Sequence, residues 1–327
     1  MANPKTSKNP GDDLTLMAIM QRFSNEESAR EYIETLRWSA GPICPHCGND
    51  DRERVYKVTA NAGKKIRAGL YKCAECADQF TVTVGTVMED SHIPLDKWLV
   101  AFYIMCASKT QVSALQLQRQ LELGSYRSAW FLCHRIRFAL MDQAPDDKLN
   151  GTVEADETYI GGKKRGHGHG YVGHKTAVVS LVERGGRARS QVVEKVTAKE
   201  ISKILRAHIA ADAHLNTGES PLYKKVGQEF ESHDVVNRSR EEYGYTDIMS
   251  GRLATTNAVD GFFRNRKRVI DVTHHHISNQ HRGLYFAELD YKYNTRANTD
   301  GARTFGGIQS MTGKWLMLRN PKPKGSK

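Results

Sequence analysis

Two pairs of cysteines and one pair of acids are the residues whose types and spacing could do chemistry. Cys44-Pro45-His46-Cys47 and Cys73-Ala74-Glu75-Cys76 are C-x-x-C knuckles separated by 25 residues. Together they supply four thiolates, the full set for one closed, tetrahedral structural zinc site, a reading that outweighs unpaired thiols in a reducing compartment. The acids Asp156 and Glu157 lie in the run Val153-Glu154-Ala155-Asp156-Glu157-Thr158-Tyr159-Ile160. Alternation along a strand sends Glu154, Asp156, Thr158 and Ile160 to one face and Val153, Ala155, Glu157 and Tyr159 to the other, so only one of the two acids can hold a given metal ion. Taken alone, such a pair is far more often an incidental feature of a surface hairpin. The following Gly161-Gly162-Lys163-Lys164-Arg165 offers close-approaching backbone and cations suited to phosphate. His274-His275-His276 invites a metal reading, but adjacent histidines rarely converge on one ion, and a structural or phosphate-contacting role is expected. Cys106 and Cys133 fall in apolar helical pattern and read as core.

These residues need elements to position them. Strand-like residues 54–58, 70–72 and 80–84 surround the knuckles and form a β-module too short to be stable without its metal. Before it, Leu16, Met20 and Phe23 mark a short helix, and Ser24-x-x-Glu27 reads as a capping box opening a second. After it, Trp98, Leu99, Phe102, Tyr103 and Met105 give a helix from Pro94 its apolar face. Residues 113–121 and 125–132, joined at Glu122-Leu123-Gly124, are either a helix-turn-helix or a plain helical hairpin; the second carries Tyr126, Arg127, His134, Arg135 and Arg137. The acidic strand leads to strands 176–183 and 190–196 and to a helix capped by Thr197. A strand ending at 215–219, a helix at 221–230, a strand at 233–237, a helix at 257–267 and a closing helix at 284–294 follow. The tail to Lys327 is basic and poorly patterned.

With 327 residues, 39% of them hydrophobic, the chain has room for two or three domains with an ordinary core. Lys plus Arg exceed Asp plus Glu by 48 − 37 = +11, which points to a polyanionic partner. No apolar run is long enough to span a membrane, and the polar start, residues 1–13, lacks the core of a signal peptide. The expectation is a cytoplasmic protein, nucleoid-associated when bound to DNA, with no membrane partner. The expected divisions are a disordered leader and short helices at 1–40, the zinc ribbon at 41–88, a helical DNA-binding region at 89–145, an α/β domain at 146–298 and a basic tail at 299–327.

The knuckles, the run from Gln79 to Val87, Ile93-Pro94-Leu95-Asp96-Lys97-Trp98, the acidic strand, Thr256-Asn257-Ala258-Val259-Asp260-Gly261-Phe262-Phe263 and the stretch from Ala287 to Asn294 occur in one order. In these the chain resembles the zinc-ribbon DDE transposases of bacterial insertion sequences. The resemblance implies a multi-domain α/β protein whose ribonuclease H-like mixed sheet, flanked by helices, carries three carboxylates that hold magnesium or manganese. Asp156 matches the first acid. Asp260 matches the third, one methylene shorter than the usual Glu, and Lys267 the basic residue two helical turns on. The second is missing: Thr217-Gly218-Glu219-Ser220 puts glycine there. Glu219 points the other way on a strand, and Asp212 is about 20 Å off if the chain is extended; Glu219 and Asp234 are the substitutes to consider. The implied function is binding of transposon ends with metal-dependent strand cleavage and transfer, impaired at Gly218. The alternative is a catalytically inactive, transposase-derived DNA-binding or regulatory protein; an unrelated nuclease would not need a sequence reader. The implied partners are double-stranded DNA, both transposon ends and target, and further copies of the chain on that DNA. Expected DNA contacts are Tyr126, Arg127, Arg135, Arg137, Lys163, Lys164, Arg165, Arg264, Arg266 and Arg268.

Overall fold

The structure, a computed structural model, describes residues 11–59, 66–141, 147–161, 175–248 and 250–316. The chain forms two compact units, Met1–Leu140 with Asn298–Lys327, and Met141–Ala297. In the first unit α1 (Leu16–Arg22) is capped by the Thr15 side chain, and α2 (Glu26–Arg37) by Asn25, whose carboxamide accepts from the Ser28 N–H at 2.9 Å. The cap therefore stands one residue later than the expected Ser24 box, because Asn25 is the residue whose side chain reaches back to the first turn. Strands β1 (Val55–Lys57), β2 (Tyr71–Cys73) and β3 (Gln79–Phe80) form a small antiparallel sheet in that order. Trp38 meets Tyr71 and Phe80 edge-on at 5.0 and 5.9 Å, a miniature core beside the knuckles.

Helix α3 (Leu95–Ala107) buries Trp98, Leu99, Phe102, Met105 and Cys106 completely. Helices α4 (Ala114–Gln120) and α5 (Tyr126–Ala139) are capped by Ser113 and Ser125 and pack together, with Glu122 taking a left-handed backbone at the turn. From Leu132 onward α5 is buried almost all round, Cys133 included, and only its first turn, with Tyr126 and Arg127, is exposed.

The second unit is built on a five-stranded sheet of β4 (Thr152–Ile160), β5 (Thr176–Glu183), β6 (Ala188–Val193), β7 (His214–Gly218) and β8 (Ser232–Val236), ordered β6-β5-β4-β7-β8. β5 is antiparallel to both neighbours, whereas β7 runs parallel to β4 and β8 to β7. β4 thus has an antiparallel neighbour on one side and a parallel one on the other, and the C-terminal end of β7 comes beside the middle of β4. α6 (Ala198–His208) and the single turn α7 (Lys224–Gly227) cover one face, burying Val153, Ala155 and Leu215 against Ile201, Ile204, Leu205, Tyr223 and Val226. The expected helix at 221–230 is cut to that turn where Gly227 lies against the His233 ring, closer than any Cβ could approach. A hairpin of β9 (Gly244–Thr246) and β10 (Leu253–Thr255) follows β8. α8 (Asn257–Thr273), two turns longer than expected, and α9 (Arg282–Asn294) cover the other face, packing Ile270, Phe286 and Leu289 on Ile160 and Val178, and Val259, Phe262 and Phe263 on Val182 and Ala188.

The chain end departs from expectation. Residues placed in the basic tail form α10 (Asp300–Gln309), capped by Thr299 and packed against α3 in the first unit. Gly301, Gly306 and Gly307 dilute its apolar periodicity, but Gly301 is there for contact: a Cβ would stand 2.1 Å from the Gly11 carbonyl oxygen.

Candidate active site

Asp156 lies on β4 one residue past the last pair with β7, on the face covered by α8 and α9. The register Ala155↔Thr217 puts Gly218 beside it on the neighbouring strand, and alternation puts both on the same face. Among the described residues nothing lies within 4 Å of where a Gly218 Cβ would stand, so they leave room for a side chain there. Burial pushes the Asp156 carboxyl up from 3.8 to about 6. The charges of Glu157 and Asp260 add to that rise, while the Glu157 N–H, 2.8 Å from Oδ1, and the Arg238 cation oppose it. Asp260, in the first turn of α8, is thus near enough for its charge to be felt at Asp156. Lys267 is seven residues on along the same helix and exposed.

Arg238 was not singled out from the sequence. It opens a short 3-10 turn, Arg238–Arg240, after β8, ion-pairs with Asp260 and hydrogen-bonds to Thr256 Oγ1. Its partner is 22 residues away, and no local pattern announces the pair. Glu157 goes to the opposite face, where its carboxylate accepts from the Tyr223 hydroxyl at 2.6 Å; burial and that carboxylate push the phenol well up. Glu219 accepts from the Ser239 hydroxyl at 2.8 Å. Asp234 pairs in register with Asn216, two residues short of Gly218 and so about 7 Å back along the sheet.

A buried acid that sequence reasoning passed over holds the site together. Glu154, wholly inaccessible and on the Asp156 face, accepts from the N–H groups of Ala258 and Val259 at 2.7 and 3.1 Å, the first turn of α8. Thr256 makes no side-chain cap, so Glu154 caps that helix and answers its positive N-terminal end. Arg184 holds the same carboxylate at 2.8 Å and bonds the Leu253 carbonyl at 2.9 Å. The strand bearing Asp156 is thereby joined to the helix bearing Asp260. An acid two residues before Asp156, on a strand face that must be covered, was the available signal.

The expected DNA contacts divide by burial. Tyr126, Arg127, Arg264 and Arg268 are exposed; Lys163, Lys164 and Arg165 lie outside the described residues. Arg135, Arg137 and Arg266 are buried and are corrected from DNA contacts to internal ones. Arg135 lies over the Phe131 ring at 4.6 Å and donates to the Leu316 carbonyl. Arg137 points at the Val112 carbonyl. Arg266 donates to the Leu289 carbonyl at 2.9 Å and lies 4.1 Å from the Phe262 ring, and burial brings it down to about 10. His274 ends α8 with its ring edge-on to Tyr285, and His275 takes the left-handed backbone that turns the chain, a structural role.

In the first unit the sulfurs of Cys44, Cys47, Cys73 and Cys76 all lie within 4.8 Å of one another, with Cys44–Cys76 and Cys47–Cys73 at 3.7 Å. Four sulfurs about 2.3 Å from a tetrahedral zinc would be about 3.8 Å apart, so the set fits one zinc ion and is far too open for disulfides. Backbone N–H groups of Cys76 and Glu75 and the neighbouring Cys47 and Asn49 side chains lower Cys73 to about 6, while burial and the other three thiols raise Cys76 to about 12.

Residues 148–294 match the family model of the ISXO2-like transposase domain, and residues 24–79 that of the transposase zinc-ribbon domain. The chain thus carries, in the family's order, the two domains of the zinc-ribbon DDE transposases of insertion sequences. It is 28% identical over 213 residues to a protein described as uncharacterized in transposable element ISH50 of Halobacterium salinarum, a match covering 58% of this chain and 66% of that relative. A simian T-cell lymphotropic virus intasome solved in complex with PP2A regulatory subunit B56 gamma shares 13% identity over 54% of this chain and 63% of that one. The TM-score between the two is 0.27. A DDE domain implies a divalent metal, but with the acids matched as the resemblance implies, the residues here do not fit a matched pair of ions: position 218 has no side chain and Asp260 is already ion-paired. No helix among the described residues is long and apolar enough to cross a membrane.

Proposed function

We propose that the chain binds the ends of its insertion element as a homo-oligomer on double-stranded DNA, and that its strand cleavage and transfer are impaired at Gly218. The first turn of α5 offers Tyr126 and Arg127 to a groove, and the exposed Arg264, Lys267 and Arg268 of α8 offer charge to phosphate beside the acids. The observation that carries the reading is Gly218 itself, next to Asp156, on the same face and with no described residue against it. On this reading Asp156 and Asp260 are two of the family's three carboxylates, and position 218 is where the third is lacking. The second reading, a transposase-derived regulator that only binds DNA, is favoured by the Arg238–Asp260 ion pair, which already engages one of those two acids.

One comparison tests both. End-containing DNA is given to the unmodified chain, to Gly218→Asp and to Asp156→Ala as the blank, with magnesium, and cleaved and joined products are counted. Gly218→Asp is expected to exceed the unmodified chain by about 100-fold or more, the scale of losing one electrostatic group at a reacting phosphate. Equal activity would show that another carboxylate fills the second place, with Glu219 and Asp234 the first to replace. An inactive Gly218→Asp that still binds ends leaves the regulator reading standing.

A further inference from the structure

Where three carboxylates would hold divalent ions, this chain assembles two carboxylates and a guanidinium. Arg238 is fixed from two sides, by the Asp260 carboxylate and by the hydroxyl of Thr256 at the start of α8. It stands two residues beyond Val236, the residue paired with Gly218, so it leaves the sheet beside the position that lacks its acid. The absent negative charge and the present positive one act in the same direction. A divalent ion approaching Asp260 meets a carboxylate already neutralised and a like charge a few ångströms away, in a site where Asp156 is largely withdrawn from water.

We propose that Arg238 is the resident counter-cation of Asp260 and that it excludes divalent ions from the acidic site of the DNA-free chain. The assignment rests on the reading of Asp156 and Asp260 as one site, but its test needs no DNA and no strand transfer. It can therefore fail while end binding succeeds, and the reverse.

The measurement is manganese binding by the full, zinc-loaded chain, followed by the electron paramagnetic resonance of free Mn²⁺. Arg238→Gln is expected to bind Mn²⁺ about tenfold more tightly than the unmodified chain, the effect of removing one like charge at close range. Arg238→Lys keeps the charge and is expected to stay near the unmodified chain. The double variant Asp156→Asn with Arg238→Gln is expected to lose the gain. Zinc content and circular dichroism check that each variant folds, and Arg238→Ala replaces the glutamine variant if that one does not. No gain in Arg238→Gln, an equal gain in Arg238→Lys, or a gain that survives loss of Asp156 overturns the proposal.

Discussion

Asp156 carries the clearest electrostatic signature of any residue in the site, and its sign sets a pH dependence. With its carboxyl raised from 3.8 to about 6, chiefly by burial, the fold holds this proton more tightly than the unfolded chain does. Stability from this group is therefore fully present below about pH 4, falls as pH rises through about 6, and is level above that. Asp156→Asn cannot ionise but keeps an oxygen for the Glu157 N–H. In magnesium-free buffer it should stabilise the chain above pH 6 by an amount on the order of 3 kcal/mol at most, and do nothing at pH 4. Thermal melts of the two chains across that range give the answer, and a constant difference at all pH values would refute the burial account. Alternation along a strand was enough to send Asp156 and Glu157 to opposite faces, because that period is a property of the backbone. Arg238 was illegible, since an ion pair across 22 residues exists only once β8 and α8 are placed. Arg135, Arg137 and Arg266 were misread for a related reason: charge is written in the sequence, but the rings and carbonyls that surround a buried guanidinium are not.

The elements of the second unit were mostly readable from period and punctuation, and the failures lie where tertiary contact overrides both. Residues 176–183 were placed to the residue, whereas 221–230 shrank to one turn around Gly227, the β9–β10 hairpin was too short to show a pattern, and α10 hid behind its glycines. The cap of α8 was invisible because it comes from another element. Glu154→Ala should therefore damage an element it does not belong to, leaving two N–H groups of α8 and the Arg184 cation without the carboxylate that satisfies them. The expected cost is about 3 kcal/mol, the scale of breaking a buried charged pair. Hydrogen exchange should quicken first at Ala258 and Val259, and unchanged protection there would mean that the cap contributes nothing. The ribbon was legible for the opposite reason, since all of its ligands sit in two local motifs. Cys73→Ser should lower zinc below about half an equivalent and unfold β1 to β3, because the binding energy of a structural zinc is the folding energy of so small a sheet. A folded ribbon with full protection and no zinc would remove the metal from the account.

At the scale of the whole molecule the net charge of +11 is the feature a nucleic acid meets first. Each phosphate neutralised by a lysine or arginine releases counterions, so affinity for duplex DNA should fall steeply with salt, the slope of log K against log salt changing by about 0.9 per contact. The structure turns this into a choice among arginines that the sequence could not separate. Arg264 and Arg268 stand exposed on α8, on either side of the buried Arg266. Arg264→Ala and Arg268→Ala should each flatten the salt slope by about one phosphate contact and leave the melting temperature unchanged. Arg266→Ala should do the reverse, because it strips a guanidinium from between Phe262, Tyr293 and the Leu289 carbonyl. Its loss is a packing and hydrogen-bond defect in the core beneath the site, about 2 to 4 kcal/mol by analogy with other large-to-small substitutions. Binding isotherms at several salt concentrations, paired with a melt of each variant, separate the two behaviours. If Arg266→Ala flattened the slope at unchanged stability, the guanidinium would have to leave the core to reach DNA, and the division of these cations by burial would be wrong.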